Sequence, residues 1–165
     1  MAVVRTLILV AFLVFGPVSG TVVAESFFTS ENYLKGKFAF DEGDYEIAVK
    51  LWMDSAKQGQ AEAQGFIGAM YHAGYGVEKD YGKAMKWYLK AAGKGVAQAQ
   101  LGIGNIYGDG LGVEKDYVKA RMWFEISADA GNQRAEYNSR KVAQRMTEAE
   151  IAKADKMALD WVKTH

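Results

Sequence analysis

The chain uses one stretch of sequence twice, at a constant offset of 36 residues. Residues 61–95 and 97–131 are identical at 18 of 35 aligned positions, and GVEKDY recurs letter for letter at Gly76–Tyr81 and Gly112–Tyr117. A fixed period of this length is typical of stacked supersecondary units, each of which buries its apolar face against its neighbours. The repeat therefore predicts a solenoid of stacked units.

Each copy of the repeat predicts two helices joined by a glycine-rich turn. In the first copy, apolar residues recur at helical spacing over residues 61–73 and again over residues 81–93. Gly74 and Gly76 interrupt the pattern, and glycine adopts the positive φ of a helix C-cap or turn without steric cost. Asp80 precedes the second apolar run, where an N-cap residue accepts hydrogen bonds from free backbone N–H groups.

Two glycines stand in the middle of predicted helices, Gly68 and its equivalent Gly104. Glycine inside a helix costs about 1 kcal/mol relative to alanine. Because both copies carry this cost, we expect a close approach between two helix backbones at these positions.

The residues shared by the two copies resemble the Sel-one-like repeat, a subclass of the tetratricopeptide-type solenoids. That family pattern has an early Ala, an apolar residue followed by Gly, a Tyr, a G-x-G-V loop, and then Asp, Lys-Ala, Trp, Ala-Ala and Gly. In the first copy the matching residues are Ala63, Ile67, Gly68, Tyr71, Gly74, Gly76, Val77, Asp80, Lys83, Ala84, Trp87, Ala91, Ala92 and Gly95. The second copy matches equally well, except that Ser127 replaces the first Ala of the pair. The resemblance implies an all-α superhelical solenoid of about eight helices.

The flanks of the two clear copies are weaker versions of the same unit. Residues 26–60 keep the offset but have a short turn around Gly43 in place of the glycine loop, which is typical of a terminal repeat. Residues 133–165 begin a partial fourth unit and end in an amphipathic segment. Thr147 and Glu150 form a capping-box pattern before that segment. We expect a single repeat domain over 25–165, with copies at 61–96 and 97–132 and a C-terminal helix that seals the stack.

Residues 1–24 have the pattern of a secretory signal peptide. Arg5 precedes the short apolar run Thr6–Phe15, and Val22-Val23-Ala24 is a small-residue cleavage site. The apolar run is shorter than the roughly 20 residues that span a bilayer. The pattern predicts cleavage before Glu25, no stable membrane insertion afterwards, and export to the periplasm, most simply of a Gram-negative bacterium, or to the medium.

Composition excludes several classes of function. The net charge is zero, whereas a nucleic-acid binder needs a basic face. The chain has no cysteine and only two histidines, His72 and His165, too few for a zinc site. Gly76-VEKDY-Gly82-Lys83 has the wrong spacing for a phosphate loop and lacks the hydroxyl residue that holds magnesium. We therefore predict no catalytic residue, no metal site and no cofactor.

A binding surface is implied by the resemblance to tetratricopeptide-type solenoids, which bind on the concave face lined by the first helix of each unit. Transferred by alignment, that face is polar with mixed charge and suits an extended peptide or a loop of a protein partner. These positions differ between copies, whereas the packing positions stay the same. The predicted partner-binding residues are Glu62, Ala69, His72, Gln98, Leu101, Asn105, Asp109, Arg134, Tyr137 and Lys141.

The sequence thus predicts a non-enzymatic interaction scaffold or adaptor in the bacterial envelope. The family that it resembles includes scaffolds, regulators of envelope or polysaccharide pathways and secreted host-interaction factors. The alternative is a cell-wall-directed hydrolase or a protein that binds β-lactams or peptidoglycan. The branch of the family linked to β-lactam binding has a disulfide-rich design, and the lack of cysteine counts against it here.

Overall fold

A computed structural model describes residues 20–165, with side chains from Glu31 onward. This part of the chain folds into eight helices and no strand. The helices are α1 Gly20–Asp41, α2 Tyr45–Lys57, α3 Ala61–Ala73, α4 Tyr81–Ala92, α5 Ala97–Asp109, α6 Tyr117–Asp129, α7 Gln133–Ala143 and α8 Glu148–Val162. The all-α prediction is confirmed, and the helices of the two clear copies begin and end where the periodicity placed them, with α4 one residue shorter.

The helices pair as successive hairpins, α1 with α2, α3 with α4 and α5 with α6, and each hairpin packs on the next. The first helices of successive units also contact one another: α5 contacts both α3 and α7. The surface formed by α3, α5 and α7, together with the starts of the second helices that border it, is called the inner surface below. The core consists of small and large apolar residues from every hairpin, including the fully buried Ile67, Ile103 and Ile106.

Local signals in the sequence act as predicted at the helix ends. The carboxylates of Asp80 and Asp116 accept hydrogen bonds from the backbone N–H groups of Lys83 and Lys119, both at 2.9 Å. The capping box at Thr147 is complete, with hydrogen bonds in both directions between Thr147 and the third residue of α8. Because these groups satisfy N–H donors that have no partner within their own helix, they fix where α4, α6 and α8 begin.

The glycines in the middle of the first helices make room for an aromatic ring. A Cβ on Gly68 would lie 2.5 Å from Cδ1 of Tyr88, and a Cβ on Gly102 would lie 2.6 Å from its Cζ. Gly104 is covered in the same way by the ring of Phe124. The expected close approach is therefore present, but the partner is a side chain of the second helix rather than a helix backbone.

Two buried glutamines join each unit to the one before it. The Nε2 group of Gln64 donates to the carbonyl oxygen of Ala56 at 3.0 Å, and that of Gln100 donates to Ala92 at 3.3 Å. Both carbonyls belong to the last turn of the preceding second helix, where four carbonyls have no partner within the helix. The equivalent residue in the fourth unit is Glu136, which is exposed and paired with Arg140 instead.

The second glycine of each loop allows the loop to pack closely against the preceding unit. Gly76 has a φ of 66° and lies against the backbone of Tyr45, so a Cβ there would overlap the Tyr45 carbonyl group. Gly112 has a φ of 68°, and its Cβ would lie 3.1 Å from Cβ of Tyr81. The loop of one unit thus covers the start of the second helix of the previous unit.

We expect Gly76→Ala to destabilise the protein more than Gly43→Ala. Both glycines have a positive φ, which costs an L-residue about 1 to 2 kcal/mol. A Cβ on Gly43 meets nothing within 4 Å, whereas one on Gly76 also forces the loop away from Tyr45. Urea unfolding followed by circular dichroism measures the difference. Equal losses in the two variants would show that the loop does not need this close contact.

The fourth unit departs from the others. Its helices are separated only by residues 144–147, without a glycine loop, and α8 packs on α6. Arg121 of α6 donates to Asp155 of α8 at 2.9 Å and to Ser139 of α7 at 2.8 Å. Trp123 meets Trp161 edge to face at 5.2 Å between ring centroids. The last helix therefore covers the end of the stack.

The predicted leader, residues 1–24, lies outside the described residues except for 20–24, which begin α1. Within the described part of the chain, none of the helices combines the length and apolar character needed to cross a bilayer.

Candidate functional site

The structure places the predicted partner-binding residues unevenly. Six are exposed, namely Glu62, Gln98, Asp109, Arg134, Tyr137 and Lys141. Asn105, Ala69 and His72 are half-buried, and Ala69 packs against the core. Leu101 is only 2% exposed and lies in a core cluster with Phe124 and Ala135. Its assignment to the binding surface is therefore corrected, because the next unit covers it.

Three of these residues meet at one cavity. Asn105, Asp109 and Lys141 line a space of about 250 Å³ between α5, the start of α6 and α7. The remaining lining residues are Gly108, Lys115, Tyr117, Phe124, Asn138, Val142 and Arg145. The cavity is open to solvent, and most of its accessible lining is polar. It lies on the inner surface at the junction of the third and fourth units.

At this cavity the fourth unit lacks the glycine loop that the earlier units have. In the first two junctions the loop lies on Tyr45 and Tyr81, and the equivalent residue at the third junction is Tyr117. No such loop follows α7, and the space beside Tyr117 is instead bordered by Arg145. The Nη1 group of Arg145 donates to the Tyr117 hydroxyl at 2.9 Å.

Positive charge dominates the lining. Lys115, Lys141 and Arg145 contribute three cations, and Asp109 contributes the one carboxylate among the lining residues. The hydrogen bond from Arg145 lowers the pKa of the Tyr117 hydroxyl, and the charges of Arg145 and Lys115 add to this effect. The lowered pKa of Tyr117 thus follows from the cations that surround its hydroxyl.

Two amides connect the walls of the cavity. The Nδ2 group of Asn138 donates to Oδ1 of Asn105 at 3.2 Å, across the junction between α7 and α5. This leaves the Nδ2 donors of Asn105 for a ligand. The position of Asn138 corresponds to Phe66 and Gly102 in the earlier units, where apolar contact with the aromatic ring replaces the amide.

His72 lies beside this region on α3. Its ring meets the rings of Tyr81 and Tyr88 edge to face, with centroids 5.4 Å and 6.1 Å apart. Burial lowers the pKa of His72 from its ordinary value, the charge of Lys79 lowers it further, and Asp109 opposes both. The imidazole is therefore held in its neutral form as a packing group.

We expect the free energy of unfolding to decrease as the pH is lowered through 6.5, the ordinary pKa of histidine, because of His72. The unfolded chain takes up a proton on His72 at a higher pH than the folded chain, so acid favours unfolding. His72→Gln should show a shallower loss of unfolding free energy over the same pH range in urea titrations. His165 is present in both proteins, so its contribution to the pH dependence cancels in the comparison. Parallel pH profiles would contradict the assignment.

The described residues hold no group of three or more His, Asp or Glu side chains arranged for a metal ion. The cavity has a size that admits one side chain or a small charged group rather than a large cofactor. Its chemistry is that of binding, through ammonium, guanidinium and amide donors.

Sequence reasoning missed Lys115, Tyr117, Asn138 and Arg145. Alignment to the first helices selects only positions on those helices, whereas Lys115 and Tyr117 come from the loop and from the second helix. The usable signal was the absent glycine loop after α7, which predicts an uncovered tyrosine at position 117.

Comparison with known proteins gives a consistent result. The Sel1 repeat family model matches residues 61–96 and 95–132. One solved structure, c5321, a protective antigen of uropathogenic Escherichia coli strains that displays an SLR fold, is 30% identical with a TM-score of 0.77. A Sel1 repeat protein from Oxalobacter formigenes is 33% identical with a TM-score of 0.61. No curated protein matches the chain.

Both matches cover most of this chain but less than half of the other protein. The match to c5321 covers 82% of this chain and 30% of that one, and the match to the Oxalobacter protein covers 67% and 46%. This chain therefore spans less than half the length of either protein. The repeat pattern, the helix pairing and the two likenesses agree: residues 61–132 are two Sel1 repeats, and they lie within an all-α solenoid.

Proposed function

We propose that this protein is a non-enzymatic scaffold of the bacterial envelope that binds a peptide or protein partner on its inner surface. Sel1-repeat solenoids have an architecture suited to protein–protein interaction, since stacked repeats present an extended surface. The observation that carries the proposal is the polar cavity beside Tyr117, whose cationic side chains form no ion pair with a carboxylate of residues 31–165.

The exposed residues near the cavity support the same conclusion. Tyr137 is 66% exposed on α7, and Lys141 follows one turn later. Exposed tyrosine is enriched at protein interfaces, because its ring buries apolar area while its hydroxyl keeps a polar partner. The two residues extend the cavity into a longer surface along α7, as an extended peptide requires.

Crosslinking and affinity capture from the native envelope and culture supernatant test this function. The bait is the full chain, and the surface variant carries Arg134→Glu and Tyr137→Ala. A control with Lys86→Glu and Leu159→Ala makes the same kinds of change on other exposed positions. A partner held by the wild type and the control but lost in the surface variant is the expected result. Equal capture by all three proteins would show that the partner does not bind on the inner surface.

Export is tested separately. The apolar run Thr6–Phe15 and the small residues before Glu25 support cleavage at that point. Cell fractionation should place the protein in the periplasm or medium, with Glu25 as its first residue by N-terminal sequencing. An uncut cytoplasmic protein would contradict export. Turnover of nitrocefin or peptidoglycan that survives repurification would contradict the non-enzymatic assignment.

A further inference from the structure

We propose that the cavity between α5, α6 and α7 binds side-chain carboxylates of an acidic segment in the partner, with Lys115, Lys141 and Arg145 as the cationic contacts. This inference rests on the proposed scaffold function and names the chemistry that the inner surface recognises.

The first argument is that these cations have no carboxylate partner of their own. Within residues 31–165, the ion pairs use Lys119, Arg121 and Arg140 in the same two units, but not Lys115, Lys141 or Arg145. Three like charges around one space repel one another, which costs free energy that a bound anion recovers. The side chain of Arg145 contacts the Tyr117 hydroxyl and ring, and the ammonium group of Lys115 lies over the same ring; these contacts position the two cations without pairing them with a carboxylate.

The second argument concerns the donors. Arg145 carries a planar guanidinium that binds a carboxylate through two parallel hydrogen bonds, and one of its nitrogens is already fixed by Tyr117. The Nδ2 group of Asn105 adds a neutral donor on the opposite wall, held by its contact with Asn138. The lining therefore combines fixed donors with mobile lysine charges, as carboxylate recognition requires.

The third argument distinguishes an acidic peptide from nucleic acid. A nucleic-acid site needs an extended basic face that tracks the phosphates. Here the positive charge is confined to one cavity, and exposed Glu62 and Glu136 lie on α3 and α7. Tyr137 and Lys141 lie one turn apart on α7, and Arg145 follows in the turn after the helix, so that a segment lying along α7 passes the cavity rather than ending in it.

The test uses fluorescence anisotropy with the full chain and a short labelled peptide of alternating Asp and Glu. A peptide with Asn and Gln in their place, an amidated form of the acidic peptide and a single-stranded DNA oligonucleotide complete the set. We expect the acidic peptide to bind, with or without amidation, and its affinity to fall as salt rises. The neutral peptide should not bind.

The variants distinguish binding in the cavity from nonspecific attraction to positive charge elsewhere on the protein. Lys141→Ala and Arg145→Gln should each lower affinity for the acidic peptide about five- to tenfold, because each removes a charge-assisted hydrogen bond. Lys86→Ala, an exposed lysine of α4 outside the cavity, should leave it unchanged. Asp109→Asn should raise affinity about two- to fivefold by removing the opposing carboxylate, a gain that a purely structural role of Asp109 does not predict. Circular dichroism melting confirms that each variant is folded.

Several results would overturn the inference. They are equal binding of acidic and neutral peptides, no peptide binding at millimolar concentration, loss of binding on amidation, tighter binding of the oligonucleotide, or variants no weaker than Lys86→Ala. The scaffold function fails in a different way, when capture of a partner is insensitive to Arg134→Glu with Tyr137→Ala, changes that leave Lys115, Lys141 and Arg145 in place.

Discussion

Removal of residues 147–165 is expected to lower the free energy of unfolding by roughly 2 to 4 kcal/mol, because full burial of a large apolar side chain contributes about 1.5 to 3 kcal/mol and the deletion removes two that are partly buried. The deletion removes Met157 and Trp161, which pack against the core, and uncovers Trp123, which is 7% exposed in the intact protein. It also leaves the half-buried Arg121 without Asp155. Urea unfolding gives the loss of stability, and light scattering should detect association through the uncovered face.

A matched pair of substitutions tests the same contact without shortening the chain. Ala154 is fully buried on the face of α8 that meets the stack, whereas Ala152 is exposed on the same helix. Ala154→Arg should destabilise strongly, because a charged side chain cannot enter the packed interface. Ala152→Arg should change stability little. If the deletion melts like the full chain, or if the two arginine variants behave alike, α8 does not seal the stack.

Trp52→Ala is expected to cost about 3 to 5 kcal/mol, the usual range for removing a buried aromatic side chain. The Trp52 side chain is fully buried and stacks on Phe66 with ring centroids 4.4 Å apart. Its Nε1 group donates to the carbonyl oxygen of Tyr33 at 3.1 Å, and the ring covers Gly36. One residue thus joins α1, α2 and α3, and its loss opens a cavity at the N-terminal hairpin.

Trp87→Ala provides the comparison for Trp52→Ala. Trp87 is only partly buried, and the ammonium group of Lys90 lies 4.4 Å from its ring centroid. We expect a loss of about 1 kcal/mol at this position. Far-ultraviolet circular dichroism is the appropriate signal, since both variants lose tryptophan fluorescence. Similar losses for the two variants would mean that the N-terminal hairpin contributes little to the cooperative unit.

The helices could be predicted closely from the sequence because their signals are local. The apolar spacing of Ile67 and Met70, the glycine at position 74 and the carboxylate of Asp80 act within a few residues of where they stand. The structure confirms each of them. The role of Gly68 was predicted only in part, since the sequence indicates a close approach but not that the ring of Tyr88 is the partner.

The candidate site could be predicted only where it follows the first helices. Asn105, Asp109 and Lys141 were selected by their positions on α5 and α7 and do line the cavity. Leu101 was selected by the same rule and is buried, because the ring of Phe124 and the next unit cover it. Exposure at such a position depends on the neighbouring unit, which a helix-by-helix alignment does not describe.

The sequence by itself determined the period, the helix bounds, the caps and the two Sel1 repeats at 61–132, because hydrogen bonding at helix ends and apolar periodicity act over a single turn or hairpin. Only the tertiary structure decided that the cavity forms at the third junction, with Lys115, Tyr117 and Arg145 around it. These residues come from three separate segments, and their meeting depends on a loop that covers Tyr45 and Tyr81 but has no counterpart over Tyr117. A missing contact of this kind becomes visible only when the units are stacked in space.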